Sequence, residues 1–211
     1  MTPDPITKVA KRVGVLVSGR GSNLQALIDA AAAAQLGAAI ATVISNVDDA
    51  FALERARRAG ITTTVIDHRG WPSRDDFDRA LVQELQRHQV DVVCLAGFMR
   101  KVGRPLLDAY PSAILNIHPS LLPSFPGLHP QRQALEHGVK VSGVTVHVVT
   151  EELDAGPIIL QRAVPVLYDD TEETLAARIL QEEHLAYPAA VRMFVGGGLV
   201  EGRRWVAARE P

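Results

Sequence analysis

Short apolar runs recur along the chain, each followed by a longer stretch whose apolar positions repeat at helical spacing. Val13-Gly14-Val15-Leu16-Val17 has the make-up of a buried strand, and residues 24–34 follow with a helical pattern. The order then continues as a strand over 39–44, a helix over 50–59 ended by Gly60, and a strand over 62–66. A helix over 74–87 with Ser73 as N-cap, a strand over 90–95, a short helix over 106–110 and a strand over 113–117 complete the series. Repeated β-α units of this length predict an α/β fold, Rossmann-like, with a mostly parallel sheet carrying helices on both faces.

The pattern changes after His118. Residues 119–127 contain three prolines and a glycine and read as a constrained loop. A short helix over 131–137 is followed by residues 141–149, which alternate as a strand does, and by a further strand over 158–166. The polar segment 169–172 introduces a long helix to about Phe194, bent at Pro188 and ended by Gly196-Gly197-Gly198. Residues 199–206 read as a terminal strand. Residues 1–11 read as a tail and 12–211 as a single domain, with no internal repeat or low-complexity linker.

Composition narrows the classes. With 211 residues, 47% apolar and 22% charged, the chain suits one globular α/β domain with a sizeable core. The 22 Lys and Arg against 24 Asp and Glu give a net charge of −2, so no basic excess exists to hold a nucleic-acid backbone. The one cysteine, Cys94, lies in an apolar run and reads as a small buried hydrophobe. Neither a secretory signal nor a run near the roughly 20 apolar residues of a membrane span is present, so the expected location is the cytoplasm.

Two places carry candidate chemistry. The first strand runs into Ser18-Gly19-Arg20-Gly21-Ser22-Asn23 and then a helix. Glycines allow a ligand close to the backbone, and the free N–H groups of a helix N-terminus suit an anion. The loop lacks the third glycine of a dinucleotide fingerprint and the Lys-Ser/Thr of a nucleoside-triphosphate loop, so a monophosphate fits it better. A plain tight turn with Ser22 or Asn23 capping the helix is the alternative.

Asn116 and His118 lie two apart at the end of the fifth strand and share a face, where open α/β sheets place their ligands. Asp154 follows in Leu153-Asp154-Ala155-Gly156-Pro157. An amide donor, an imidazole and a carboxylate suit acyl transfer to an amine: the amide binds an oxyanion, the imidazole moves protons, and the acid favours the charged ring. Taken singly, each has a plainer reading: Asn116 tying down a turn, His118 a satisfied core histidine, Asp154 a turn acid. The seven histidines show no paired ligand spacing, so no metal is expected.

The segments Val17–Gln25, Leu95–Arg100, Leu115–Pro123 and Glu152–Pro157 resemble the folate-dependent formyltransferase family, with similarity from about Arg12 to Trp205. The resemblance implies transfer of the formyl group of 10-formyltetrahydrofolate, as cosubstrate, to the amine of phosphoribosylglycinamide in purine biosynthesis. It places phosphate binding in the N-terminal half, and folate binding and catalysis in the C-terminal half. It assigns Asn116, His118 and Asp154 to catalysis, with His118 as proton donor and Asp154 as the acid that keeps it charged. Gly21, Ser22 and Asn23 match the phosphate loop, and Glu183 the acid at the acceptor's sugar. Arg74, Met99, Arg100, Lys101, Val102, Asn116, Thr150, Glu151, Glu152, Leu153 and Asp154 match folate contacts. The implied partners are small molecules, with the chain a monomer or homodimer. Pro130-Gln131 departs from the family, where a second histidine or a small residue is frequent.

Three rivals stand beside this reading. Formyl-folate hydrolases use water as acceptor and carry an extra N-terminal domain, which the residues before Arg12 are not expected to hold. Transfer-RNA formyltransferases carry a basic C-terminal domain, not expected before Pro211. A non-catalytic folate or nucleotide sensor would not need Asn116, His118 and Asp154 together.

Overall fold

Strand β1 (Lys11–Val17) sends alternate side chains to opposite sides, as the two-residue period of a strand requires. Val13, Val15 and Val17 enter one apolar cluster and Leu16 enters the other. The same split recurs on β4 (Val92–Leu95), where Val92 and Cys94 face one side and Val93 and Leu95 the other. Burial on both faces is what a central parallel strand needs, and it explains the unbroken apolar runs. The computed structural model describes residues 11–197, 199–201 and 204–206.

The seven-stranded sheet has the order β3-β2-β1-β4-β5-β6-β7. Strands β2 (Ala38–Ser45), β3 (Thr63–Val65) and β5 (Ile114–His118) join β1 and β4 in parallel. β6 (Val141–Val148) and β7 (Ile158–Pro165) close the far edge in antiparallel pairing. Helices α1 (Ser22–Ala32), α2 (Phe51–Arg58), α5 (Pro130–Glu136) and α6 (Glu172–Val195) bury residues in the first cluster. Helices α3 (Arg74–Arg87) and α4 (Arg104–Ala109) bury theirs in the second. Ser73 caps α3 as expected, its Oγ accepting from the Asp76 amide at 3.1 Å.

Two expectations need correction, at residues 199–206 and at Lys11. The strand expected over 141–149 is β6, whose residues 142–148 are all buried; α6 covers one of its faces and the 119–127 loop contributes to covering the other. Where one terminal strand was expected over 199–206, β8 (Leu199–Glu201) and β9 (Arg204–Val206) are two strands paired antiparallel; Gly202 and Arg203 are outside the described residues. Lys11 belongs to β1 rather than to a tail, its Nζ lying 3.2 Å from Asp91; residues 1–10 and Gly198 are outside the described residues. The long helix expected to about Phe194 is α6, which contains Pro188 and runs to Val195.

One buried contact fastens α6 to the sheet centre. The Tyr187 hydroxyl shares its single proton between the carbonyls of Leu95 at 2.9 Å and Leu115 at 3.1 Å. Cys94 lies fully buried beside it, and burial pushes its thiol up to about 12, so it acts as packing and not as a nucleophile.

Candidate active site

The sheet order places the carboxyl ends of β1, β4 and β5 side by side. The loops that leave them therefore share one rim: 18–23, 97–103 and 119–127. A cleft of about 230 Å³ lies between the first two, lined by residues 18–23 together with Ala96, Gly97 and Met99. A larger groove of about 930 Å³ runs between α1 and α6; neither lining includes Asn116, His118 or Asp154, but only the smaller cleft holds the whole 18–23 loop and lies on the rim where β5 ends. Chemistry, not size, marks the first as the candidate site.

Gly21 precedes α1 with φ of 71°, a conformation that favours glycine, and a Cβ there would stand 2.6 Å from Cβ of Ala52. Among the described residues no side chain caps the helix, so its first N–H groups remain open to a ligand. Asn23, one residue into the helix, donates from Nδ2 to Glu183 at 2.6 Å, leaving its Oδ1 buried without a partner among the described residues. Burial raises the pKa of Glu183 above the ordinary glutamate value, and the bond from Asn23 opposes the shift. The residues assigned to the acceptor thus come together, although Glu183 is 160 positions from Asn23.

Asp154 is the centre of the second group. Its φ is 52°, a left-handed backbone that aspartate tolerates better than most residues, and its side chain is 7% exposed. Oδ2 accepts from the Gly127 amide at 2.8 Å and lies 3.5 Å from Nδ1 of His118. Oδ1 lies 3.7 Å from Nε2 of His147. Gly156 lets this turn close, because a Cβ there would run into the carbonyl oxygen of Val148.

Hydrogen-bond logic assigns protons on both rings. Nε2 of His118 is 2.9 Å from the Phe125 carbonyl, which only accepts, so Nε2 carries a proton. Nδ1, facing Asp154, is then a lone pair in the neutral ring and a donor in imidazolium. Nδ1 of His147 likewise donates to the Val148 carbonyl at 3.0 Å, which leaves a lone pair on Nε2 of the neutral ring. Asn116 must therefore turn Nδ2, not Oδ1, towards that nitrogen, 3.2 Å away. Burial lowers the pKa of His147, against the opposing effects of the Val148 carbonyl and Asp154, which keeps it in this neutral form.

The sequence profile of the Formyl transferase family matches residues 11–191. The chain belongs to the formyl transferase family. It is 49% identical over 185 residues to the phosphoribosylglycinamide formyltransferase of Escherichia coli strain K12, covering 88% of this chain and 87% of that protein. It is also 49% identical over 198 residues to the trifunctional purine biosynthetic protein adenosine-3 of Drosophila melanogaster. That match covers 93% of this chain, which spans only 15% of the trifunctional protein's length. The crystal structure of glycinamide ribonucleotide transformylase 1 from Symbiobacterium toebii superposes with a TM-score of 0.92 at 57% identity, covering 93% of each chain.

Not every residue expected of this formyl transferase presents its side chain to the rim. Arg74, Met99, Arg100 and Lys101 are exposed, and the Arg74 stem lies beside Gly103. Val102 is 7% exposed and packs in the second apolar cluster, so only its backbone is free to meet a ligand. Thr150, Glu151, Glu152 and Leu153 are exposed, with Glu151 3.5 Å from Arg104. Sequence reasoning missed His147 and the Phe125 carbonyl. His147 reads as one more position in an apolar strand until the β5–β6 register sets it opposite Asn116. Among the described residues no group of His, Cys, Asp and Glu is arranged to hold a metal ion, and no helix is long and apolar enough to cross a membrane.

Proposed function

We propose that this chain transfers the formyl group of 10-formyltetrahydrofolate to the amine of phosphoribosylglycinamide, in the cytoplasm, as a step of purine biosynthesis. The observation that carries the reading is the convergence of Asn116, His118 and Asp154 on a rim shared with an open helix N-terminus. The names of its relatives supply the acceptor and the pathway.

The chemistry follows from the groups present. The acceptor's phosphate docks on the N–H groups at Gly21, Ser22 and Asn23, with Glu183 and Asn23 towards its sugar. Folate lies along 97–103 and 150–154, with Arg74 at the rim. The acceptor amine attacks the formyl carbon, and the carbonyl oxygen takes up negative charge. The free N–H of the Asn116 amide and the imidazolium of His118 stabilise it. The attacking nitrogen loses a proton and the folate nitrogen gains one as the C–N bond breaks; His118 handles the transfer through Nε2, whose proton exchanges the Phe125 carbonyl for the substrate, while Asp154 at Nδ1 balances the ring's charge.

The test is product analysis with formyl-folate, with and without phosphoribosylglycinamide. Formylated ribonucleotide and tetrahydrofolate in equal amounts, with little folate turnover when the acceptor is omitted, support the reading. Formate released at the same rate without acceptor would make the chain a hydrolase.

A further inference from the structure

Ser18 closes the first strand and has no part in the chemistry above, yet it joins the two sides of the cleft. Its amide donates to the Gly97 carbonyl at 3.1 Å, and its Oγ accepts from the Met99 amide at 2.8 Å. The same hydroxyl donates to Oδ1 of Asn46 at 2.6 Å. The directions are unambiguous: a backbone N–H can only donate, so the hydroxyl proton is left for Asn46. Asn46 is 3% exposed at the end of β2, and its amide is thereby turned with Nδ2 on Nδ1 of His68, 3.2 Å away. The Asn46 carbonyl at 3.4 Å and Asp67 Oδ1 at 3.7 Å are more distant neighbours of that nitrogen. The His68 ring meets Phe77 edge-on at 6.3 Å, and Phe77 stacks on Phe98 at 6.4 Å, next to Met99. The network starts and ends on the 97–99 segment.

We infer that Ser18 is a positioning residue that couples the two substrate sites, holding the folate-facing 97–103 segment in register with the phosphate-facing 19–23 loop. This rests on the assignment of those two loops under the proposed function. Physically, a ligand that fixes the 19–23 loop fixes Ser18, the residue before it, and Ser18 holds the 97–99 segment through its amide and its hydroxyl, so the second ligand meets less ordering cost. The coupling is reciprocal, and couplings of this kind typically amount to about 5- to 150-fold in affinity.

Calorimetric titration with tetrahydrofolate and phosphoribosylglycinamide tests it, since this pair carries no formyl group and cannot turn over. In the wild type, saturating acceptor tightens tetrahydrofolate binding at least about fivefold, and the reverse titration gives the same factor. In Ser18→Ala the factor falls below about twofold, and Ser18→Thr, which keeps the hydroxyl, restores it. Asn46→Ala, which removes the hydroxyl's acceptor, is the second variant and loses the coupling in the same way. Absence of coupling in the wild type, or full coupling in the folded Ser18→Ala or Asn46→Ala protein, overturns the inference. If phosphoribosylglycinamide fails to bind at all, the functional reading falls instead. Inorganic phosphate then replaces it as the loop's probe, with the same outcomes deciding the role of Ser18.

Discussion

Nδ2 of Asn116 lies 3.2 Å from Nε2 of His147, its cross-strand partner on β6. The contact does more than add one hydrogen bond. It decides which end of the Asn116 amide faces the ring, and so which way the remaining N–H points. His147→Leu removes the acceptor while keeping a side chain of similar bulk. Steady-state kinetics should show turnover lower by about tenfold, equivalent to about 1.4 kcal/mol of barrier, with substrate KM values altered less. Unchanged turnover would mean that the amide is held by something else.

The same histidine gives a pH signature. Burial lowers its pKa from the ordinary 6.5. Neutral in the folded state, it contributes stability that is complete above 6.5 and is lost as pH falls through its lowered value, because the unfolded chain takes up the proton first. The groups facing it are Asp154 and His118, whose charges act in opposite directions. Denaturant unfolding across that range should show a shallower acid loss in His147→Leu than in the wild type. Parallel curves would remove His147 from the account of acid stability.

At the other end of the rim, Glu183→Ala takes away the partner of Asn23 Nδ2. Asn23 is then free to swing from the phosphate-facing position. The KM for the acceptor should rise by about tenfold or more while that for formyl-folate changes less than about twofold; a lost charged hydrogen bond of about 1.5–3 kcal/mol sets this scale. Equal changes in both would make Glu183 a general structural support.

Tyr187→Phe separates stability from chemistry. It removes one hydroxyl, shared by the carbonyls of Leu95 and Leu115, without opening a large cavity. A loss of about 1–2 kcal/mol in unfolding free energy is expected from a buried hydrogen bond. KM values should stay close to wild type, since the hydroxyl lies in the core behind the rim. A stability loss below about 0.3 kcal/mol would show that the bond contributes nothing net.

Much of this arrangement was legible in the chain. The apolar runs at β1 and β4 announce strands buried on both faces, and Ser73 marks the start of α3 to the residue. Asn116, His118 and Asp154 were legible as chemistry because their residue types fit a reaction and because the motifs around them resemble a family. His147 was not, since its role depends on strand register, which local periodicity does not carry. The burial of the Val102 side chain was not legible either: its neighbours Met99 to Lys101 are exposed, while Val102 packs into the second apolar cluster. The β8 and β9 segments were read as one strand because both have strand-like composition, and their antiparallel pairing is a contact that local composition does not carry.

The account turns on Asp154 acting through His118, and one double-mutant cycle tests that most directly. Asp154→Asn retains an oxygen to accept from the Gly127 amide, so the loop is kept while the charge beside Nδ1 of His118 is lost. The measurement is kcat/KM as a function of pH for wild type, Asp154→Asn, His118→Ala and the double variant. The expected result is a large loss in each single, greatest for Asp154→Asn at neutral and higher pH, and a double variant little worse than the worse single, because groups acting as one unit are not additive. Losses that multiply, with an unaltered pH profile in Asp154→Asn, would contradict the coupling and leave Asp154 as a residue that only shapes its loop.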